Sequence, residues 1–354
     1  AVTGDTVDTV VTNLRALLAD GPLEMAELTW TADTTNDKIT YVSAGAAIDG
    51  RPITITTSGT GTISHTQETT PTGPNDVNNG TNYSSGSLPT DNDTLVVTKG
   101  SASMLWNLEA LNSIDLDKID ISSEFTGQIG LPRINASGYT EWRPRYFKCT
   151  GTGTNDLDIR EGAGTGSPLL YFNLIGVWQI NVEVTGSGAP DLPALLLKGT
   201  TGASTLRVRG SSTTVGVAFD NGDTCVLTSF DLAAGSVAIG EGADLSGLTR
   251  FEMKSGSLHA RAALTATNFE FWGGSTIADS AMTGNINIYR GSEVIFRGNP
   301  GAGAGAPDLK MFGGRADMSQ SAIAKSFATV TMAEGTVEGI DTVTIVSGEV
   351  ARDS

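Results

Sequence analysis

Apolar residues in the second half of this chain return in pairs, one position apart, with a glycine three residues after the second, giving apolar-x-apolar-x-x-Gly. The instances are Phe230/Leu232/Gly235, Phe251/Met253/Gly256, Phe269/Phe271/Gly274, Ile286/Ile288/Gly291, Leu309/Met311/Gly314, Val330/Met332/Gly335 and Val343/Ile345/Gly348. Successive glycines lie 21, 18, 17, 23, 21 and 13 residues apart. Alternation at i and i+2 turns both apolar side chains of a short strand to one side. Glycine then turns the corner, since it takes positive φ or close backbone approach without steric cost. An apolar residue follows within two or three positions, as at Val237, Leu258, Ile277, Val294, Val337 and Val350, and begins the next side of the same coil.

A repeat of strand, glycine corner and second strand at this period is the signature of a β-solenoid. Rungs of such a coil stack at roughly 4.8 Å through parallel hydrogen bonding, so equivalent side chains form columns along the axis. Phe230, Phe251 and Phe269 are expected to form one column, continued by Ile286, Leu309, Val330 and Val343 in a coil that narrows toward its C-terminal end. Leu232, Met253 and Phe271 form its neighbour. A β-sandwich would also alternate, but its turns recur about every 8 to 12 residues and it predicts no columns of like residues. The pattern favours the solenoid.

The chain before the repeat reads differently. Residues 5–19 place Val7, Val10, Val11, Leu14, Leu17 and Leu18 at helical spacing, with Thr3 or Asp5 available as a cap and Gly21-Pro22 as a stop. Strands are expected over 27–31, 38–43 and 51–57, followed by a long polar excursion over 58–87, a strand over 93–98 and a short helix or turn over 104–111. From Ile114 the alternation resumes with Ile119 and Ile121, then with glycine-punctuated segments at 157–159, 169–172, 179–184, 195–197, 206–208 and 215–219. The expected architecture is therefore mostly β. A small N-terminal α+β attachment domain occupies residues 1–112, and a right-handed parallel β-helix occupies 113–354, with irregular early rungs and regular ones from about 230. Residues 139–147 and 301–306 read as loops that leave the rung.

Three segments carry a resemblance: Asn82-Tyr83-Ser84-Ser85-Gly86 with Pro89 and Asp93, then Phe125-Thr126-Gly127-Gln128-Ile129-Gly130-Leu131-Pro132, and the later coil. Together they resemble the parallel β-helix virion structural proteins of tailed bacteriophages. The shared residues are turn and rung residues, so the resemblance implies fold and a structural place in a virion, at the surface of an extracellular particle. It implies partners of that setting: further copies of the chain, as a homotrimer, and other virion proteins such as the major capsid protein. It brings no catalytic residue and no cofactor.

Composition narrows the possibilities. Acidic residues exceed basic ones to leave a net charge of −17. That excess repels nucleic-acid phosphates and anionic lipid, so neither nucleic acid nor membrane is expected as a partner. No apolar run is long enough to span a bilayer as a helix, and the chain as given opens on Ala1 with no signal-peptide pattern, as after Met removal or processing. Cys149 and Cys225 are too few for a disulfide framework or a zinc site and read as buried free thiols.

Candidate chemistry is sparse. Asp115, Asp117 and Asp120 have hard oxygen ligands but lack a calcium loop, and Asp220-Asn221-Gly222-Asp223 reads first as a tight turn, so no metal is expected at either. Glu252, Glu270 and Glu293 are expected in one column, without the adjoining carboxylate pair or aromatic platform of a carbohydrate-cleaving β-helix. His65 and His259 are isolated, and Trp106, Trp142, Trp178 and Trp272 are scattered. The most interface-like stretch holds Tyr139, Trp142, Arg143, Arg145 and Tyr146, residue types that dominate binding hot spots; it reads equally as a loop covering the coil. The sequence thus points to a non-enzymatic virion component: decoration, capsid-associated, or tail and fibre. The alternatives are a polysaccharide lyase or tailspike-like depolymerase, and a bacterial surface adhesin.

Overall fold

The computed structural model describes residues 6–19, 28–33, 35, 38–43, 77, 79–100, 114–131, 145–160, 170–183, 193–301, 305–340, 343–346 and 350–352. It divides into two units, residues 1–88 with 105–107, and residues 89–104 with 108–354.

In the first unit the helix Val7–Ala19 packs against the strand Leu28–Asp33, which pairs antiparallel with Lys38–Ser43 from Leu28↔Ser43 to Asp33↔Lys38. Thr6 rather than a residue further upstream caps the helix, its Oγ1 accepting from the Thr9 amide at 3.3 Å. Within the apolar stripe Val11 is buried, while Val7 and Leu14 are exposed. The expected strand at 51–57 lies outside the described residues.

The second unit is a parallel β-solenoid. Its first face is one uninterrupted inward column in which each residue pairs with the next: Leu95, Ile119, Leu157, Ile180, Leu206, Phe230, Phe251, Phe269, Ile286, Leu309 and Val330, whose strand pairs in turn at Val350. Phe230 and Phe251 stack with centroids 5.2 Å apart, and Phe251 meets Phe269 edge-on at 5.0 Å. Leu232, Met253 and Phe271 form the neighbouring column as the alternation requires. The second face runs through Leu195, Val215, Val237, Leu258, Thr276, Val294, Ala316 and Val337. The third face is less regular, with Cys225 paired to Ala243, Leu245 to Leu264 and Leu264 to Met282.

Glycine makes the corner between the first and second faces. Gly235, Gly256, Gly274, Gly291, Gly314 and Gly335 all have φ between 70 and 106. These glycines also stack: a Cβ on Gly274 would lie 2.3 Å from the Gly256 carbonyl oxygen. The corner therefore demands glycine twice, for its dihedral and for close backbone approach, except at Gly291, where a Cβ would meet nothing and the dihedral alone demands it.

Three expectations change. Thr94–Gly100 pairs in parallel with Lys118–Phe125, so the coil's first strand lies ahead of residue 113. Val343–Ile345 does not continue the Val330 column; it pairs with Lys325–Phe327 on the third face, and Val350 takes the place expected for Val343. Side-chain volume does not simply shrink toward the end either, because Phe296 and Phe327 meet edge-on at 5.6 Å and fill the late rungs from other faces.

Candidate functional site

In apolar-x-apolar the middle residue must point outward, and so must the residue after the second apolar position. On the first face this builds two outward columns. The central one passes through Asp120, Asp158, Asn181, Arg207, Asp231, Glu252, Glu270, Asn287 and Lys310. Beside its later part stand Lys254, Trp272, Tyr289 and Phe312, one on each successive rung. On the other flank lie Arg250, Asn268, Asn285 and Asp308.

The central column is held by bonds from rung to rung. Arg160 grips Asp120 through Nε at 2.7 Å and Nη2 at 2.5 Å, and Lys118 reaches Asp158 at 2.5 Å. Arg250 pairs with Glu252, and Lys254 stands 3.6 Å from the same carboxylate. Burial works against ionisation of Glu252, but Arg250 and Lys254 outweigh it and hold the carboxyl below its usual range. Asn287 donates to Glu270 Oε1 at 2.9 Å, and Asn285 donates to Asn268 at 2.9 Å. Two oxygens are left over: Asp231 Oδ1 and Glu270 Oε2 are buried and have no hydrogen-bond partner among the described residues. The Tyr289 phenol is raised by burial and then by the nearby Glu270 carboxylate, yet its hydroxyl does not satisfy Oε2.

The flanking column is aromatic. Trp272 lies on Tyr289 with centroids 3.8 Å apart and planes 7° from parallel, and Tyr289 lies on Phe312 at 5.1 Å and 15°. Trp272 is 46% and Phe312 45% exposed. The expected Glu252–Glu270 column is present, but Glu293 stands on the second face, where Arg315 binds it, and Asp231 occupies the rung before Glu252. Both the adjoining carboxylate and the aromatic platform that the sequence reading found missing are thus on this face.

A second cluster lies outside the second face. Arg145 binds Asp220 at 2.5 Å, Tyr146 donates to Asp223 at 2.8 Å, and Lys198 binds Asp223 at 2.7 Å. Tyr146 packs on buried Tyr171 at 5.6 Å and lies under the Lys198 ammonium, 3.9 Å from the ring centroid. Burial, with Asp223 beside it, pushes the Tyr146 phenol well above its usual value. Arg145 and Tyr146 are thus held against Tyr171, Lys198, Asp220 and Asp223, whereas Tyr139, Trp142 and Arg143 lie outside the described residues. The Asp220–Asp223 turn closes through the Asp223 amide to the Asp220 carbonyl at 3.0 Å, and arginine, lysine and tyrosine occupy its carboxylates.

The remaining candidates separate. Asp115 accepts from the Thr152 amide at 2.6 Å, Asp117 is exposed, and Asp120 is taken by Arg160, so the three do not converge. Among the described residues no group of three or more His, Cys, Asp and Glu could hold a metal ion. His259 bonds to Asp279 at 2.5 Å, while His65, Trp106 and Trp142 fall outside the described residues. Trp178 is a core residue whose Nε1 donates to the Ile175 carbonyl at 3.1 Å. Cys149 and Cys225 are free and buried. Sequence reading missed Arg315, which gathers Glu293, Asp317 and Glu338, and Lys325, fully buried with its ammonium on the Ser321 and Ile323 carbonyls at 3.0 and 2.5 Å. No described helix is long and apolar enough to cross a membrane. Comparison with protein-family models, curated proteins and solved structures finds no match.

Proposed function

We propose that this chain is a non-enzymatic structural protein, a rigid display or assembly scaffold built into a phage particle as a decoration, capsid-associated, or tail and fibre component. The observation that carries the scaffold reading is the register of the first face, which passes from Leu95 to Val330 without losing its inward column. Each described rung pairs in parallel with its neighbours on the first face, which makes the coil a stiff quasi-one-dimensional object.

The carboxylates support the non-catalytic part. A general acid working at neutral pH needs a carboxyl raised toward that pH. Here Asp120, Asp244, Glu252, Asp317 and Glu338 are all displaced downward by arginine, lysine or hydroxyl and amide donors. Asp120 and Glu338 tie rungs together, the other three brace their own strand or turn, and none of the five holds a proton to give.

Placement in a virion rests on the resemblance carried by residues 82–93 and 125–132. With it come the partners: copies of the same chain in a homotrimer, and other virion proteins such as the major capsid protein, reached through the N-terminal unit. The net charge of −17 disfavours nucleic acid and anionic membrane as alternatives. A map of the native particle together with light scattering tests this reading. The expected results are density for the coil on the particle and a mass near three times 36.6 kDa. A monomer absent from the particle would overturn the virion assignment, and release of reducing ends from a polysaccharide would overturn the non-enzymatic one.

A further inference from the structure

The first face carries more order on its outside than a scaffold requires. Over the rungs from Gln179 to Lys310 its outward acids and bases balance. Glu183, Asp231, Glu252, Glu270 and Asp308 are matched by Arg207, Arg209, Arg250, Lys254 and Lys310. In a chain of net charge −17 this is a locally neutral surface. Its polar groups are fixed by cross-rung bonds such as Asn287 to Glu270 and Asn285 to Asn268. Along one margin runs the ridge of exposed Trp272, half-buried Tyr289 and exposed Phe312.

We propose that this face binds a neutral oligosaccharide or polysaccharide chain laid along the solenoid axis. The observations separate this ligand from the other classes. Nucleic acid requires a net positive surface to displace counterions, and this face has none. The core of a protein interface is depleted in charged residues, whereas here charges occupy the centre and the aromatic residues the margin. A sugar has weakly polar C–H faces and hydroxyl edges, and it suits an aromatic surface beside planar amides and carboxylates.

Two details strengthen the assignment. Asp231 Oδ1 and Glu270 Oε2 are acceptors withdrawn from solvent with no donor among the described residues, and an unmatched buried acceptor is costly. Sugar hydroxyls are donors of the right kind, and they meet these oxygens once the carboxylates turn outward from their solvent-excluded positions. Trp272 heads the ring column, since the rung before it carries Lys254. Tyr289 covers one face of its indole, and among the described residues no ring covers the other. The rungs repeat at roughly 4.8 Å, which gives a polymer with regularly repeating hydroxyls several equivalent points of attachment.

The test is binding of the full chain to a printed array of neutral and anionic glycans, repeated with Trp272→Ala and Glu270→Gln. Circular dichroism and the unfolding midpoint establish that both variants remain folded. Signals on neutral glycans that fall at least about tenfold in Trp272→Ala and also weaken in Glu270→Gln are the expected result. Binding to anionic glycans alone, absence of binding, or neutral-glycan signals unchanged in Trp272→Ala would overturn the proposal. So would a mass that drops in Trp272→Ala with no glycan bound, because the ridge would then be a contact between copies of the chain. None of these outcomes depends on the virion assignment.

Discussion

Gly256 lies against Gly235 so closely that a Cβ on Gly256 would stand 2.2 Å from the Gly235 carbonyl oxygen. Its φ of 90 is one that side chains rarely adopt. Gly256→Ala therefore strains its own backbone and pushes apart two rungs at their corner. The expected loss is at least about 1–3 kcal/mol from the dihedral alone, read as a lower urea midpoint. Gly247, which has open space where its Cβ would go, is the control: Gly247→Ala should leave the midpoint nearly unchanged.

Phe251 is 1% exposed and touches Phe230, Phe269 and Phe271 within 5.3 Å between centroids. Its truncation leaves a cavity bounded by rings that hydrogen-bonded rungs hold in place and keep from collapsing. Phe251→Ala is expected to cost about 3–5 kcal/mol, and Phe251→Leu less. Unfolding monitored separately by far-ultraviolet circular dichroism and by fluorescence will show whether the loss is shared by the whole coil or confined to nearby rungs, since stacked repeats need not unfold as one unit.

The first two faces were legible in the sequence because each rung repeats apolar-x-apolar and then a glycine, a pattern that backbone geometry enforces. The third face was not. Its inward positions include Cys225, Ala243 and the buried Lys325, and no fixed spacing marks them. Val343/Ile345/Gly348 imitates the first-face pattern from the third face, and its interval of 13 residues, against 17 to 23 elsewhere, was the sign of a different face. The outward grid was legible in principle. Asp231, Glu252 and Glu270 are the middle residues of the pattern, and Trp272, Tyr289 and Phe312 follow its second apolar position. The Arg145–Asp220 contact joins residues 75 apart and follows no repeat, so only folding reveals it.

The two thiols give a prediction about reactivity. Burial pushes the Cys225 thiol up to about 11 and the Cys149 thiol higher still. The thiolate is the reactive form, so neither cysteine should be alkylated by iodoacetamide at pH 8 in the native chain. Both should react in denaturant. Mass spectrometry that found rapid native labelling at Cys225 would show that the rung between Thr200 and Ala243 opens readily.

Acid should loosen the coil, and Asp317 offers a way to follow it. Burial alone would raise this carboxyl, but the Ser319 amide and hydroxyl at 2.8 and 2.7 Å, Gln320 at 2.9 Å and Arg315 at 3.2 Å together hold it below its usual range. A folded-state value below the unfolded one means that the folded state holds the proton more weakly. The stabilisation is then complete above the unfolded value of about 3.9 and is lost as pH falls through the lower folded value. The lowered Asp120, Glu252 and Glu338 act in the same direction. Thermal midpoints should therefore hold steady from pH 7 to about 5 and fall steeply below about 4. Asp317→Asn should be less stable than the parent chain at pH 7, and the gap should close as the parent's own carboxylate becomes protonated. A gap that stayed constant down to pH 2 would mean that Asp317 contributes through shape alone, and that its charge, set among Arg315 and the Ser319 turn, does not stabilise the late rungs.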